Sequence, residues 1–146
     1  MKSEILGPVI VLVGWSLVML FWLVIARMPA MKRAGIDVKT VTGGRPGALD
    51  GVVADRAQWK AHNYIHLMEQ PTIFYAIALV LAMIGQGDGF NAQIAWAYVV
   101  LRILHSIVQA TFNRVIVRFA LFALSSVALL MLFVHAAMGY WGVSFH

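Results

Sequence analysis

Four long runs of apolar residues divide this chain, at about Ile5 to Met28, His62 to Ile84, Ala92 to Phe112 and Val115 to Tyr140. A helix needs about 20 such residues to cross the hydrocarbon layer of a bilayer. Runs of that length restrict the fold more than any other feature, because only closed barrels and helices satisfy their own backbone inside lipid. The sequence therefore predicts an all-α membrane protein, a bundle of four transmembrane helices. Its 146 residues are read as a single domain, with a polar loop from about Pro29 to Ala61. The composition agrees: 62% of the residues are hydrophobic and 12% charged, against about a quarter charged in a soluble domain.

The first run is longer than the roughly 7–15 residues of a secretory signal, and no small-residue cleavage site follows it, so a retained helix is expected. Pro8 is tolerated in its first turn, and Met28-Pro29 is expected to mark its exit. The stretch Gly43-Gly44-Arg45-Pro46-Gly47 reads as turn. Gly85-Gln86-Gly87-Asp88-Gly89 and Asn113-Arg114 are expected to be short turns. The absence of cysteine excludes disulfides, thiolate metal sites and a cysteine nucleophile, so any thiol chemistry needs a thiol brought by a substrate.

The formal net charge is +5, but the cations sit at helix ends rather than in a nucleic-acid stripe. Arg27, Lys32, Arg33, Lys39, Arg45, Arg56 and Lys60 fall in or beside the first loop, and Arg114 and Arg118 flank the third. Lys2 is the one cation of the other side. The positive-inside rule places loops one and three in the cytoplasm and both termini outside. Anionic headgroups are the expected partners of these cations; nucleic acid is not.

Two polar stripes interrupt the apolar runs. The second helix opens with His62, Asn63, His66, Glu69 and Gln70, and positions 62, 66 and 69 share one helical face. Glu69 lies roughly 10 Å inside the expected start of the helix. Pro71 follows, removing the usual donor to the Leu67 carbonyl. On the third helix Arg102, His105 and Gln109 share a face, and Asn113 extends it. A charge at membrane depth costs about 2.5–3.5 kcal/mol on insertion scales. Glu69 and Arg102 unpaired would together cost on the order of 6 kcal/mol, comparable to a domain's whole stability of about 5–15 kcal/mol. Both are expected to face the interior, most simply each other. The stripes read equally as a structural clamp between helices two and three or as a site for a polar ligand or proton, and one pair can serve as both.

Other residues carry less. His62 and His66 lack a third clear ligand, so no metal site is assigned. Ser125 and Ser126 are expected to bond back to their own helix or to pack closely. His135 is expected at an interface. Trp15, Trp22, Trp96, Tyr98, Tyr140 and Trp141 read as belt or packing aromatics. Arg114 and Arg118 read as orientation charges, although an anion beside Arg118 would also meet free N–H groups at the start of the fourth helix.

Taken together, these features resemble the MAPEG family, the membrane-associated proteins of eicosanoid and glutathione metabolism. The resemblance covers most of the chain. It rests on four spans, a long basic first loop, Glu69-Gln70-Pro71-Thr72-Ile73-Phe74 on the second helix, and Arg102-Ile103-Leu104-His105. That last segment matches the R-x-x-H pattern of prostaglandin E synthase-like members, and the spacing from it to Arg114 and Arg118 also matches. The resemblance implies a homotrimer with glutathione as co-substrate, bound between subunits near the cytoplasmic face. Glu69 and His105 would line the glutathione site and Arg102 would support it. Arg118 would stabilise the thiolate as the catalytic residue, and Arg27 would contact the tripeptide. His66 stands where the family usually has Asn, and Gln109 where it has Tyr. Phe119 and Phe122 replace a Ser and a Tyr near the thiol, so hydroxyl donors expected around the sulfur are missing.

The expected activity is glutathione transferase-like conjugation of a lipophilic electrophile by a bacterial-type, inner-membrane member. The alternative is a non-catalytic member that binds a lipid or small anionic ligand, with the polar cluster structural. A small transporter or assembly subunit is a third class, which no pair of broken-helix repeats supports.

Overall fold

The computed structural model describes residues 2–44 and 48–143. Arg45, counted above among the loop cations, and Pro46-Gly47 of the turn-rich stretch lie outside the described residues. Four helices follow one another: α1 (Leu6–Arg33), α2 (Asp55–Met83), α3 (Phe90–Ala110) and α4 (Val115–Trp141). The bundle is an all-α membrane fold, and α1, α2 and α4 are each long and apolar enough to cross a bilayer. The 21 residues of α3 rise about 32 Å. Its polar stripe lowers its hydropathy, and the bundle buries that stripe: Arg102, His105 and Gln109 are 2%, 5% and 2% exposed.

Two helix ends differ from the sequence expectation. The first helix does not leave at Met28-Pro29 but runs through Pro29 to Arg33. One proline removes one backbone hydrogen bond. The following Ala30, Met31, Lys32 and Arg33 are strong helix formers that carry the helix on. The second helix starts at Asp55, well before His62. The segment Asp55–Ala61 is too polar to join an apolar run, yet most of its residues favour a helix, and Asp55 in the first turn suits the positive end of the dipole. Both helices thus extend past the apolar boundary that a hydropathy pattern can see.

Packing is most extensive between α3 and α4 and between α1 and α2, while α2 and α3 touch across the centre. Among the described residues α1 and α4 make no contact with one another, so they flank the α2–α3 pair. The core runs along this centre through Leu12, Met19, Leu67, Phe74, Leu81, Tyr98 and Leu132. Tyr98 stacks on Phe74 with ring centroids 4.4 Å apart. The outer faces of α1 and α4 are apolar and open, with Phe21 and Ile25 on one and Ile116 and Leu130 on the other. At one end the chain start is tied to the α2–α3 turn: Ile5 N donates to the Gly87 carbonyl (2.9 Å), and Gly89 N donates to the Glu4 carboxylate (2.9 Å). At the other end Asn113 makes the α3–α4 turn with φ 50°, a left-handed conformation that asparagine tolerates better than most residues.

Candidate functional site

Arg102 is the deepest charge. Its Nη2 donates to the backbone carbonyl of His66 (3.2 Å), one residue before the Leu67 carbonyl that Pro71 leaves without its usual donor. The guanidinium is thus held by the main chain of α2. The expected face-to-face pairing with Glu69 is not made. Among the described residues no carboxylate lies within the 4.0 Å ion-pair distance of Arg102. Glu69 instead turns outward, its side chain 61% exposed, with His66 Nδ1 at 3.6 Å. The physical reason is helical phase: Leu67 is buried, and Glu69, two residues on, falls near the opposite face of a helix turning 100° per residue.

Beside Arg102 a second polar group joins three helices. Ser106 Oγ accepts from Asn63 Nδ2 (2.8 Å) and from Trp15 Nε1 (2.9 Å). One further layer away, Tyr98 OH donates to Gln70 Oε1 (3.2 Å), and Gln70 Nε2 donates to Ser126 Oγ (2.9 Å). Sequence reading singled out neither Ser106 nor this use of Trp15. The available signal was that Arg102, Ser106 and Gln109 repeat every three to four residues on the face turned to α1 and α2. Ser125 and Ser126 both donate to the Phe122 carbonyl (2.9 and 2.8 Å), which is the back-bonding expected of them.

On the side of the bundle His66, Glu69, His105, Val115, Arg118, Phe119 and Phe122 line one cavity of about 340 Å³. The start of α4 brings Arg118 here, and Asn113 holds it: Arg118 Nη1 donates to Asn113 Oδ1 (2.8 Å). Arg118 Nε is buried without a hydrogen-bond partner. The His66 and His105 rings meet edge-on with centroids 6.2 Å apart. Four of the expected site residues therefore converge, with Arg102 behind them on the His66 carbonyl.

Two do not line this cavity. Gln109 is buried one turn beyond His105, and its Oε1 has no partner. Arg27 lines a separate cavity of about 810 Å³ with Met31, Ile36, Leu49 and Val52 of the first loop and its flank. The two histidines once weighed as a metal pair face different carboxylates. His62 Nε2 lies 3.1 Å from Asp50, whose carboxyl is also bonded by Gln58 Nε2 (3.1 Å). These bonds, that from Gln58 first, hold the Asp50 carboxyl below its ordinary value.

This arrangement gathers a guanidinium with an unpartnered Nε, a carboxylate and two imidazoles around one groove, with Phe119 and Phe122 in its wall. Comparison with curated proteins found no match, and neither did comparison with solved structures. The sequence profile of the MAPEG family, by contrast, matches residues 5–138, so that the match takes in α1 to α3, nearly all of α4 and every residue of this groove, and the chain belongs to the MAPEG family.

Proposed function

We propose that this protein is a membrane-bound, glutathione-dependent transferase-like enzyme that conjugates glutathione to a lipophilic electrophile. The observation that carries the reading is the convergence of His66, Glu69, His105 and Arg118 on one lateral groove. Glutathione carries two carboxylates, an amine and a thiol. Arg118 supplies a charge-assisted donor, and Glu69 an acceptor for the amine. A guanidinium near the sulfur favours the thiolate, which is the nucleophile. The thiol proton passes to solvent. The sulfur pair forms a C–S bond, and the pair of the broken bond leaves with the departing group. Phe119 and Phe122 line the groove in place of hydroxyl donors, so the thiolate depends on Arg118 alone and the electrophile meets an apolar wall.

In this proposal the working form is a homotrimer in a bacterial inner membrane, with loops one and three cytoplasmic. Arg27 would reach glutathione across a subunit boundary, since it does not join the groove within one chain. Gln109 would support His105 from beneath rather than touch the ligand.

A second reading keeps the family fold without catalysis, the polar residues being structural. The Arg102–His66 bond favours that role for Arg102 itself. Glutathione binding separates the two readings. In a thermal-shift titration of the detergent-solubilised protein, glutathione and an S-alkyl glutathione should raise the Tm saturably, while glycine plus glutamate should not. No shift at millimolar glutathione, with the protein folded, would reject the enzyme.

A further inference from the structure

We propose that a groove at the cytoplasmic end of α1 is a binding site for one anionic glycerophospholipid, distinct from the glutathione groove and independent of it. The cavity measures about 1,040 Å³, and Met28, Pro29, Lys32, Ile36, Val38 and Lys39 line most of it. Its lining is apolar at Met28, Pro29, Ile36 and Val38, and the same cavity is lined by Lys32 and Lys39.

Helix length places this groove at headgroup depth. The 28 residues of α1 rise about 42 Å, while the hydrocarbon layer is about 30 Å thick. Counted from Leu6, about 20 residues fill that layer, which takes the helix to the neighbourhood of Ile25. Met28 and Pro29 then lie at the acyl–glycerol boundary, and Lys32 at the level of the phosphates.

The charges are free to act. Among the described residues neither Lys32 nor Lys39 has a carboxylate within 4.0 Å. The one carboxylate in the groove, Asp37, accepts the backbone N–H of Lys39 (3.0 Å) and so closes its own turn. Lys32 also suits the negative end of the α1 dipole, but that role explains neither Lys39, which lies beyond the helix, nor the exposed apolar wall. Met28 is 46% and Val38 53% exposed. A lipid satisfies both halves at once: its phosphate takes the two ammonium groups and its first methylenes cover Met28 and Val38. Basic residues beside a span act on anionic headgroups in this way.

The test uses the full chain, purified in non-ionic detergent, stripped of lipid and titrated with phosphatidylglycerol or phosphatidylcholine under native mass spectrometry. Phosphatidylglycerol should bind saturably at one per chain and at least 10-fold more tightly than phosphatidylcholine. Lys32→Gln with Lys39→Gln should weaken it about 30-fold (about 2 kcal/mol at 1.4 kcal/mol per tenfold). Lys32→Arg with Lys39→Arg should retain binding. Val38→Glu, which sets a carboxylate in the apolar wall, should lose it and keeps the test decisive if the glutamine variant does not fold.

Three results would overturn the site. Equal binding of the two lipids would remove the charge argument. Displacement by millimolar inorganic phosphate would make it a free-phosphate site. An equal loss in Arg33→Gln with Arg56→Gln would show diffuse surface attraction instead of a groove.

Discussion

Arg102 of α3 and Arg118 of α4 both lie near His66 and His105 and meet different conditions. Arg102 is buried and spends an Nη group on a backbone carbonyl. Arg118 lines a groove, held by one asparagine at the turn where α4 begins. A guanidinium sealed among helices fixes how they sit together, because leaving it unpaired in an apolar layer is expensive. One that lines a groove, with its Nε unpartnered, is not committed to the packing in that way. A residue that shapes the site is thereby distinguished from one to which the proposed function gives a chemical role; the sequence places Arg102 at membrane depth and Arg118 at the start of a helix.

Breaking the deep side should have the largest effect. Arg102→Ala removes the donor to the His66 carbonyl and opens a cavity between α2 and α3, with an expected loss of about 3 kcal/mol or more in stability. Equilibrium unfolding in mixed micelles measures it. A variant as stable as the parent would show that the arginine is not the clamp. Arg118→Ala should do the reverse: melting shifts little, and conjugation falls about 100-fold, as when one charge-stabilising donor is removed. A drop in both, or in neither, would erase the distinction between the two arginines.

The polar layer beside Arg102 sharpens the comparison. Ser106→Ala leaves Trp15 Nε1 and Asn63 Nδ2 without their acceptor, at an expected cost of about 2 kcal/mol. Trp15 fluorescence would report the change, and an unmoved emission would mean that the indole finds another partner. The smallest effect belongs to the loop. The Asp50 carboxyl is held low by Gln58 and His62. A lowered carboxyl contributes stability at neutral pH and loses it as pH falls through the carboxylate range. Amide exchange over residues 48–58 should therefore quicken as pH is lowered to about 3, after correction for the intrinsic rate. Asp50→Asn should exchange at the quicker rate already at neutral pH.

Much of this was legible in the sequence, for reasons that differ by residue. Apolar run length gave the helices, because lipid leaves the chain few other options. Spacing put Arg102, His105 and Gln109 on one face, and the structure buries all three. Spacing could not give the azimuth of Glu69. A helix that carries polar residues on several faces does not say which of them turns inward, and here Leu67 and Asn63 take the core while Glu69 points away. The ends of α1 and α2 were misjudged because a hydropathy boundary marks where lipid stops, not where a helix does. Ser106 escaped notice because a serine beside Arg102, His105 and Gln109 carries no charge to be explained, and its role exists only where Trp15 and Asn63 meet it. Arg27 belongs to a loop cavity within one chain, and no pattern in the sequence speaks to that.

The separation of α1 from α4 has a practical use. Disulfides form only when two Cα atoms come within about 4.4–6.8 Å, and within one chain the described residues of these helices never come that close. The natural sequence has no cysteine to confuse the result. One cysteine on the outer face of each helix therefore makes a molecular ruler: any bond between them joins two copies of the chain, and the pairs that oxidise would trace the subunit seam of the proposed trimer.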